Sequence, residues 1–220
     1  MRKATCSKNM TATVMCSIPS TRSDEPSEAS IRKKEVTMNS NPTFSFFRRP
    51  IQNLKPSAEW TLAQTWQYIT STDAAPATRR LRELSDKNQR RAFKSTHFDY
   101  VTFSGTFSKR GRNHLIKYSG LICLDFDHLT DVEDLFKRLL QDEYFDTLLL
   151  FRSPSGNGLK WIIHINIQDS SQHEEFFESL VCYCQQTYGV TPDEHCRDLG
   201  RACFLPYDPD AYLGTNLNTQ

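Results

Sequence analysis

Large apolar residues are almost missing from the first forty positions of the chain, and only then begin to recur with regular spacing. Residues 1–40 are rich in Ser, Thr, Lys and Glu, which bury too little surface to offset the entropy of ordering, so they read as a disordered leader. Met38 opens the first foldable stretch and is a candidate natural start. Leu62, Trp66 and Ile69 then recur at helical spacing over 60–71, and a second helix is predicted over 77–93. Residues 100–107 alternate aromatic and small side chains as a strand does, with a bend at Gly105.

The clearest pattern follows. The run Leu121-Ile122-Cys123-Leu124-Asp125-Phe126-Asp127 lies in a predicted strand, 119–127, whose continuous apolar character suits a sheet covered on both faces. A helix over 131–141 presents Val132, Leu135, Phe136, Leu139 and Leu140 on one side, opened by a Thr130–Glu133 capping box. Strands over 147–151 and 159–167 flank a turn at 153–158. Ser171 and Glu174 suggest a second capping box, before a helix whose apolar side holds Phe177, Leu180, Val181, Cys184 and Tyr188 and whose C-terminal cap is Gly189. A last strand covers 201–206. The order β-α-β-β-α-β is the split βαβ, or ferredoxin-like, arrangement. It predicts one α+β domain over 41–215, with an N-terminal helix-and-strand extension and a short tail at 216–220. One face of the antiparallel sheet would carry helices and the other would be left for ligand.

Composition narrows the picture. With 27 basic and 26 acidic residues among 220, no global field argues for nucleic acid or membrane. Basic residues nevertheless crowd the stretch from Arg79 to Lys117, as either a solvated helix face or a phosphate-binding surface. Seven cysteines, an odd number without a Cys-x-x-Cys pair, suit reduced thiols in a cytoplasmic protein. His195, Cys196 and Cys203 fit no standard zinc spacing, which argues against a metal there. No segment approaches the roughly 20 apolar residues of a membrane span.

Three places carry chemistry. Asp125 and Asp127 are two apart on a strand and so share a face. Paired anions at a buried edge need a cation or a shared proton, and a hard ion such as Mg²⁺ bound with substrate phosphates supplies one solution. The alternative, an Asp that only caps the next helix, competes with Thr130 for that task. In the turn, Gly156 and Gly158 permit close approach of a phosphate, Ser153 and Ser155 add hydroxyls, and Lys160 follows two residues later. A plain hairpin loop would show the same residues. Between the second helix and the last strand, Asp193 or Asp198 offers a third carboxylate and Arg201 a guanidinium.

Leu124-Asp125-Phe126-Asp127, then Ser153 through Lys160, then Asp193 with Arg201-Ala202-Cys203-Phe204-Leu205-Pro206-Tyr207-Asp208-Pro209-Asp210, together resemble the three motifs of the archaeo-eukaryotic primase superfamily. More narrowly they resemble the VirE N-terminal family of primase-polymerase-like domains, often found ahead of helicase domains in mobile-element proteins. The resemblance runs from about residue 44 to 212. It implies an RRM-like catalytic sheet for two-metal nucleotidyl transfer, with Mg²⁺ or Mn²⁺ held by Asp125, Asp127 and Asp193. Arg152, Ser153, Ser155, Gly156, Gly158, Lys160 and Arg201 would bind the incoming nucleoside triphosphate. A single-stranded DNA template would be the second substrate and a helicase a further partner. One departure is Lys160, where most primase-polymerases carry His; a lysine still offers phosphate a point charge.

Two rival readings remain at this level. A haloacid-dehalogenase-like phosphohydrolase also begins with Asp-x-Asp after an apolar strand, but there a Thr or Val stands where this chain has Leu129. A catalytically inactive nucleic-acid-binding module of the same fold would keep the basic stretch and lack nucleotide incorporation.

Overall fold

A computed structural model describes residues 41–167 and 169–215; the leader, Met38 and the 216–220 tail lie outside the described residues. In the N-terminal part, strands β1 (Thr43–Phe47) and β2 (Ala58–Thr61) precede helices α1 (Leu62–Thr70), α2 (Ala75–Glu83) and α3 (Lys87–His97). Strands β3 (Tyr100–Thr102), β4 (Gly105–Phe107) and β5 (Leu115–Tyr118) follow. The C-terminal part runs β6 (Leu121–Phe126), α4 (Val132–Leu140), β7 (Thr147–Arg152), β8 (Leu159–His164), α5 (His173–Tyr188), β9 (Cys203–Phe204) and β10 (Tyr212–Leu213). The class is α+β, and every strand pairing is antiparallel.

One sheet has the order β10-β7-β8-β6. Since β8 lies antiparallel between β6 and β7, those two strands run parallel with a gap, which is the expected split βαβ. Ile122, Leu124 and Phe126 alternate onto the face that α4 and α5 cover, where they meet Leu135, Leu139, Phe177 and Leu180. Trp161 is fully buried in this core and its indole N–H donates to Thr147 Oγ1 at 2.8 Å, so the ring gives up no polar satisfaction for its burial. Alternation sends Cys123, Asp125 and Lys160 to the opposite face, away from α4 and α5.

The closing strand departs from the ferredoxin-like expectation. Instead of lying beside β6, β9 joins the second sheet, of order β2-β1-β3-β9, pairing Val101 with Cys203 and Tyr100 with Phe204. The reason is local. The Asp193 amide donates to the Asp125 carbonyl at 2.8 Å, so the end of the β6 edge is taken by a short 3-10 turn, Glu194–Arg197, rather than by a strand. The strand expected over 100–107 is two, because the chain reverses between Thr102 and Gly105, and a Cβ at Gly105 would sit 2.2 Å from the Lys117 carbonyl.

The helix expected over 77–93 is also two. Leu84 is extended and Asp86 caps α3 by accepting from the Gln89 amide at 2.8 Å. Asp131, not Thr130, caps α4, through the Asp134 amide at 2.9 Å. Asp169 rather than Ser171 makes the side-chain cap ahead of α5. Gly189 ends that helix in the left-handed conformation, as expected.

Candidate functional site

The register of β6 and β8 sets Asp125 directly across from Lys160. Their side chains form an ion pair, and both are about nine-tenths buried. Lys160 serves only one carboxylate oxygen. Asp125 Oδ1 is buried with no hydrogen-bond partner, an expensive condition for a charged group. A buried orphan acceptor of this kind suits a cation.

The turn after α5 comes to the same point. Donor atoms of Asp125, Asp193 and Cys196 all lie within 4.8 Å of one another. Asp193 is oriented by its surroundings: its Oδ1 faces the His195 amide at 3.1 Å and His195 Nδ1 at 2.8 Å, and its Oδ2 accepts from Arg201 Nη2 at 3.0 Å. Partial burial pushes the Asp193 carboxyl upward, but the His195 hydrogen bonds and the Arg201 charge outweigh this and hold it below the usual carboxylate range. Burial pushes the Cys196 thiol up to about 11. Of the alternatives left open by the sequence, Asp193 joins this cluster. Asp198 stays on the cleft wall, accepting from the Gly200 amide at 3.1 Å.

Asp127 is exposed, one residue past the end of β6. It lines the same cleft as Asp125, but the compact donor set contains Cys196 in its stead. Facing it is Lys94 from α3, whose ammonium is held below its ordinary range by burial first and by Lys160, Arg90 and Arg201 next, against the support of Asp127.

The turn between β7 and β8 packs on the end of β6. A Cβ at Gly158 would lie 2.2 Å from the Phe126 carbonyl and 3.3 Å from Asp127 Cα, so only glycine fits there. Gly156 adopts φ +81°, open to glycine at low cost. Two amides are spent on the turn itself, Ser153 N to Gly158 O and Gly156 N to Ser153 O, each 2.8 Å. Ser153 Oγ is buried without a partner. Arg82, from the basic stretch, donates to the Pro154 carbonyl at 3.3 Å and buttresses the turn.

The cleft holds about 560 Å³. Asp125, Asp127, Ser153, Ser155, Lys160 and Arg201 line it together with Lys94, Arg110 and an apolar wall of Ile51, Leu54 and Phe204. Arg152 does not line it. Its guanidinium is held by Asp208 at 3.0 Å, Glu133 at 2.8 Å and Asp210 at 3.4 Å, which makes it a tie between β7 and the C-terminal loop rather than a free phosphate ligand.

The BT4734-like, N-terminal domain family matches residues 92–213, more than half of the chain. The chain belongs to that family. The matched span contains Asp125, Asp127, the turn, Lys160, Asp193, Cys196 and Arg201, while Ile51, Leu54 and Arg82 fall before it. No curated protein matches the chain. Among solved structures the chain is similar to the polymerase domain from Mycobacterium tuberculosis ligase D in complex with DNA, at 13% identity and a TM-score of 0.35. The alignment covers 53% of this chain and 48% of that one, so the chain spans about half the length of the structure it matches. Among the described residues no helix is long and apolar enough to cross a membrane.

Sequence reasoning set aside one contributor and missed another. Cys196, weighed with His195 and Cys203, is rejected on spacing because its co-donors are carboxylates, one on β6 and one at the head of its own turn. The 51–54 loop lies far from every motif and reaches the cleft only through the fold.

Proposed function

We propose that this domain is a primase-polymerase-like nucleotidyltransferase of the archaeo-eukaryotic primase type, adding nucleotides on a single-stranded DNA template. One observation carries the reading: Asp125 and Asp193, carboxylates from distant segments, converge at the edge of a cleft that a glycine-bearing turn helps to line and that is large enough for a nucleotide. The donor set fits a divalent ion, since Asp125 Oδ1 is buried without a partner and Asp193 stands next to it. Asp125 and Asp193 would hold Mg²⁺ or Mn²⁺, with Asp127 at the mouth. Such an ion, when bound, activates the attacking hydroxyl and neutralises phosphate charge.

The chain's own residues would do the rest. Lys94, Arg110 and Arg201 set positive charge along the cleft, where it stabilises the triphosphate and the leaving pyrophosphate. Lys160, released from Asp125, would add a point charge to the phosphates. Ile51, Leu54 and Phe204 offer apolar surface against which a base could rest, and excluding water there strengthens the neighbouring charges. Exposed Arg79, Arg80 and Arg91 would track template phosphates. A helicase acting alongside would supply the single strand.

The test is incorporation of labelled nucleotides on single-stranded template with Mg²⁺ or Mn²⁺, ribo- and deoxynucleotides assayed separately. The Asp125→Ala, Asp127→Ala double variant should abolish incorporation. Asp127→Ala alone, at an exposed position, should lower it without loss of fold. A second reading, a nucleic-acid-binding module without catalysis, is favoured by the Lys160 ammonium already resting on Asp125. DNA binding by a folded protein that incorporates nothing with either metal would decide for it.

A further inference from the structure

Beneath the main cleft lies a small cavity of about 30 Å³, lined by Asp125, Lys160, Cys123, Cys196, Cys203 and Asp198. A cavity of that size has room for a single water molecule or ion. Cys123 and Cys203 face each other across β6 and β9, with Cys196 near both. The Cys196 sulfur faces oxygen donors of Asp125 and Asp193 within 4.8 Å. Asp125, only 7% exposed, keeps Oδ1 buried and unpartnered.

We infer that Asp125, Asp193 and Cys196 form a binding site for one borderline-soft divalent cation of the Zn²⁺ class, in preference to Mg²⁺. The inference shares two carboxylates with the nucleotidyltransferase reading but does not depend on that activity. Ligand chemistry sets the preference. Mg²⁺ takes oxygen ligands in near-octahedral geometry and keeps most of its waters, so it gains nothing from the Cys196 sulfur. Zn²⁺ accepts mixed sulfur and carboxylate donors in a tetrahedron, three from protein and a fourth position open. With Zn–S near 2.3 Å and Zn–O near 2.0 to 2.2 Å, tetrahedral donors sit roughly 3–4 Å apart, so side-chain adjustment of about 1 Å closes the present set. The ion would stand beside the Lys160 ammonium as a second positive partner of Asp125, and would tie the Glu194–Arg197 turn to β6. The spacing of His195, Cys196 and Cys203 matches no zinc motif, because two of the three ligands are carboxylates and one comes from another strand.

Co²⁺ reports such a site directly, through the near-ultraviolet charge-transfer band of a cobalt-bound thiolate. Full-length protein stripped by chelator should bind one equivalent of Co²⁺ with that band. Zn²⁺ should displace it and a large excess of Mg²⁺ should not. Cys196→Ser should remove the band and weaken Co²⁺ binding at least roughly tenfold, with circular dichroism unchanged. Asp193→Asn should weaken binding and keep the band, while Cys123→Ser and Cys203→Ser should leave both in place. Co²⁺ bound without a thiolate band, a band that survives Cys196→Ser, or ready displacement by Mg²⁺ overturns the inference. Incorporation with Mg²⁺ in the absence of any band would sink this site and leave the nucleotidyltransferase reading intact; a band without incorporation would do the reverse.

Discussion

Lys160→Met tests the electrostatic logic of the site at its centre. Methionine keeps the apolar stem of lysine packed and removes only the ammonium, leaving the Asp125 carboxylate buried and unpaired. Side-chain exposures of 11% and 10% put the pair among buried ion pairs. Deleting one member of such a pair costs about 3–5 kcal/mol, and in a domain of this size that lowers the melting midpoint by roughly 6–20 °C. Adding Asp125→Asn to Lys160→Met should recover most of the loss, because a buried pair replaced on both sides by neutral groups is often close to neutral overall. Divalent cation should act in the same direction. At a hundredfold excess over its dissociation constant a ligand of the native state adds about 2.7 kcal/mol. The gain should be larger in Lys160→Met than in the wild type, where Lys160 already neutralises the carboxylate. Calorimetric melts in chelator and in Mn²⁺ measure all of this. A Lys160→Met protein that melts like the wild type in chelator, or a Mn²⁺ gain equal in the two proteins, would refute the argument.

Other outcomes follow from single contacts. Gly158→Ala drives a Cβ into the Phe126 carbonyl and should cost about 1–3 kcal/mol by urea unfolding, along with cleft function. Arg152→Ala strands Asp208, which is 3% exposed, and should cost roughly 3 kcal/mol; its DNA affinity, measured on whatever fraction remains folded, should match the wild type. Arg91→Ala, at an exposed position, should leave stability nearly unchanged, weaken single-stranded DNA binding and reduce the slope of log affinity against log salt by about 1, as read by fluorescence anisotropy. His173 is 2% exposed and lowered to about 4, by burial first and the Arg112 charge second, against Asp198. Its neutral form is the native one, so above its ordinary value of 6.5 it adds no pH dependence. Stability should then fall by up to about 3 kcal/mol as pH drops from 6.5 toward 4, where the unfolded chain takes up the proton first. His173→Gln should flatten that part of the curve in pH-dependent urea titrations.

The strand of Asp125 shows how much a local pattern can carry. Its apolar run is long enough to specify a buried strand, and the period of two then dictates which residues share a face with Asp125, whatever packs around it. The same holds for α4 and α5, whose apolar stripes face the sheet except at Leu140, which is exposed, and for the glycines of the 153–158 turn. Exact caps were less legible. Thr130 and Asp131 are both competent acceptors one residue apart, and only the path of the incoming chain decides between them. Strand β1 escaped notice because Phe44, Phe46 and Phe47 sit in a stretch too short to show a period.

Sequence alone determined the α+β class, the β-α-β-β-α order and the placing of Asp125 near the end of a buried strand, since these follow from short-range periodicity and turn chemistry. The inner position expected for that strand is not what the fold shows, because β6 lies at the edge of its sheet. Tertiary structure decided where β9 pairs, that Arg152 is consumed by acids of its own fold, and that Cys196 rather than Asp127 joins the buried donor set. The first and last of these depend on which backbone group occupies the β6 edge. A single hydrogen bond from the Asp193 amide to the Asp125 carbonyl, between residues far apart in the chain, leaves no trace in local composition.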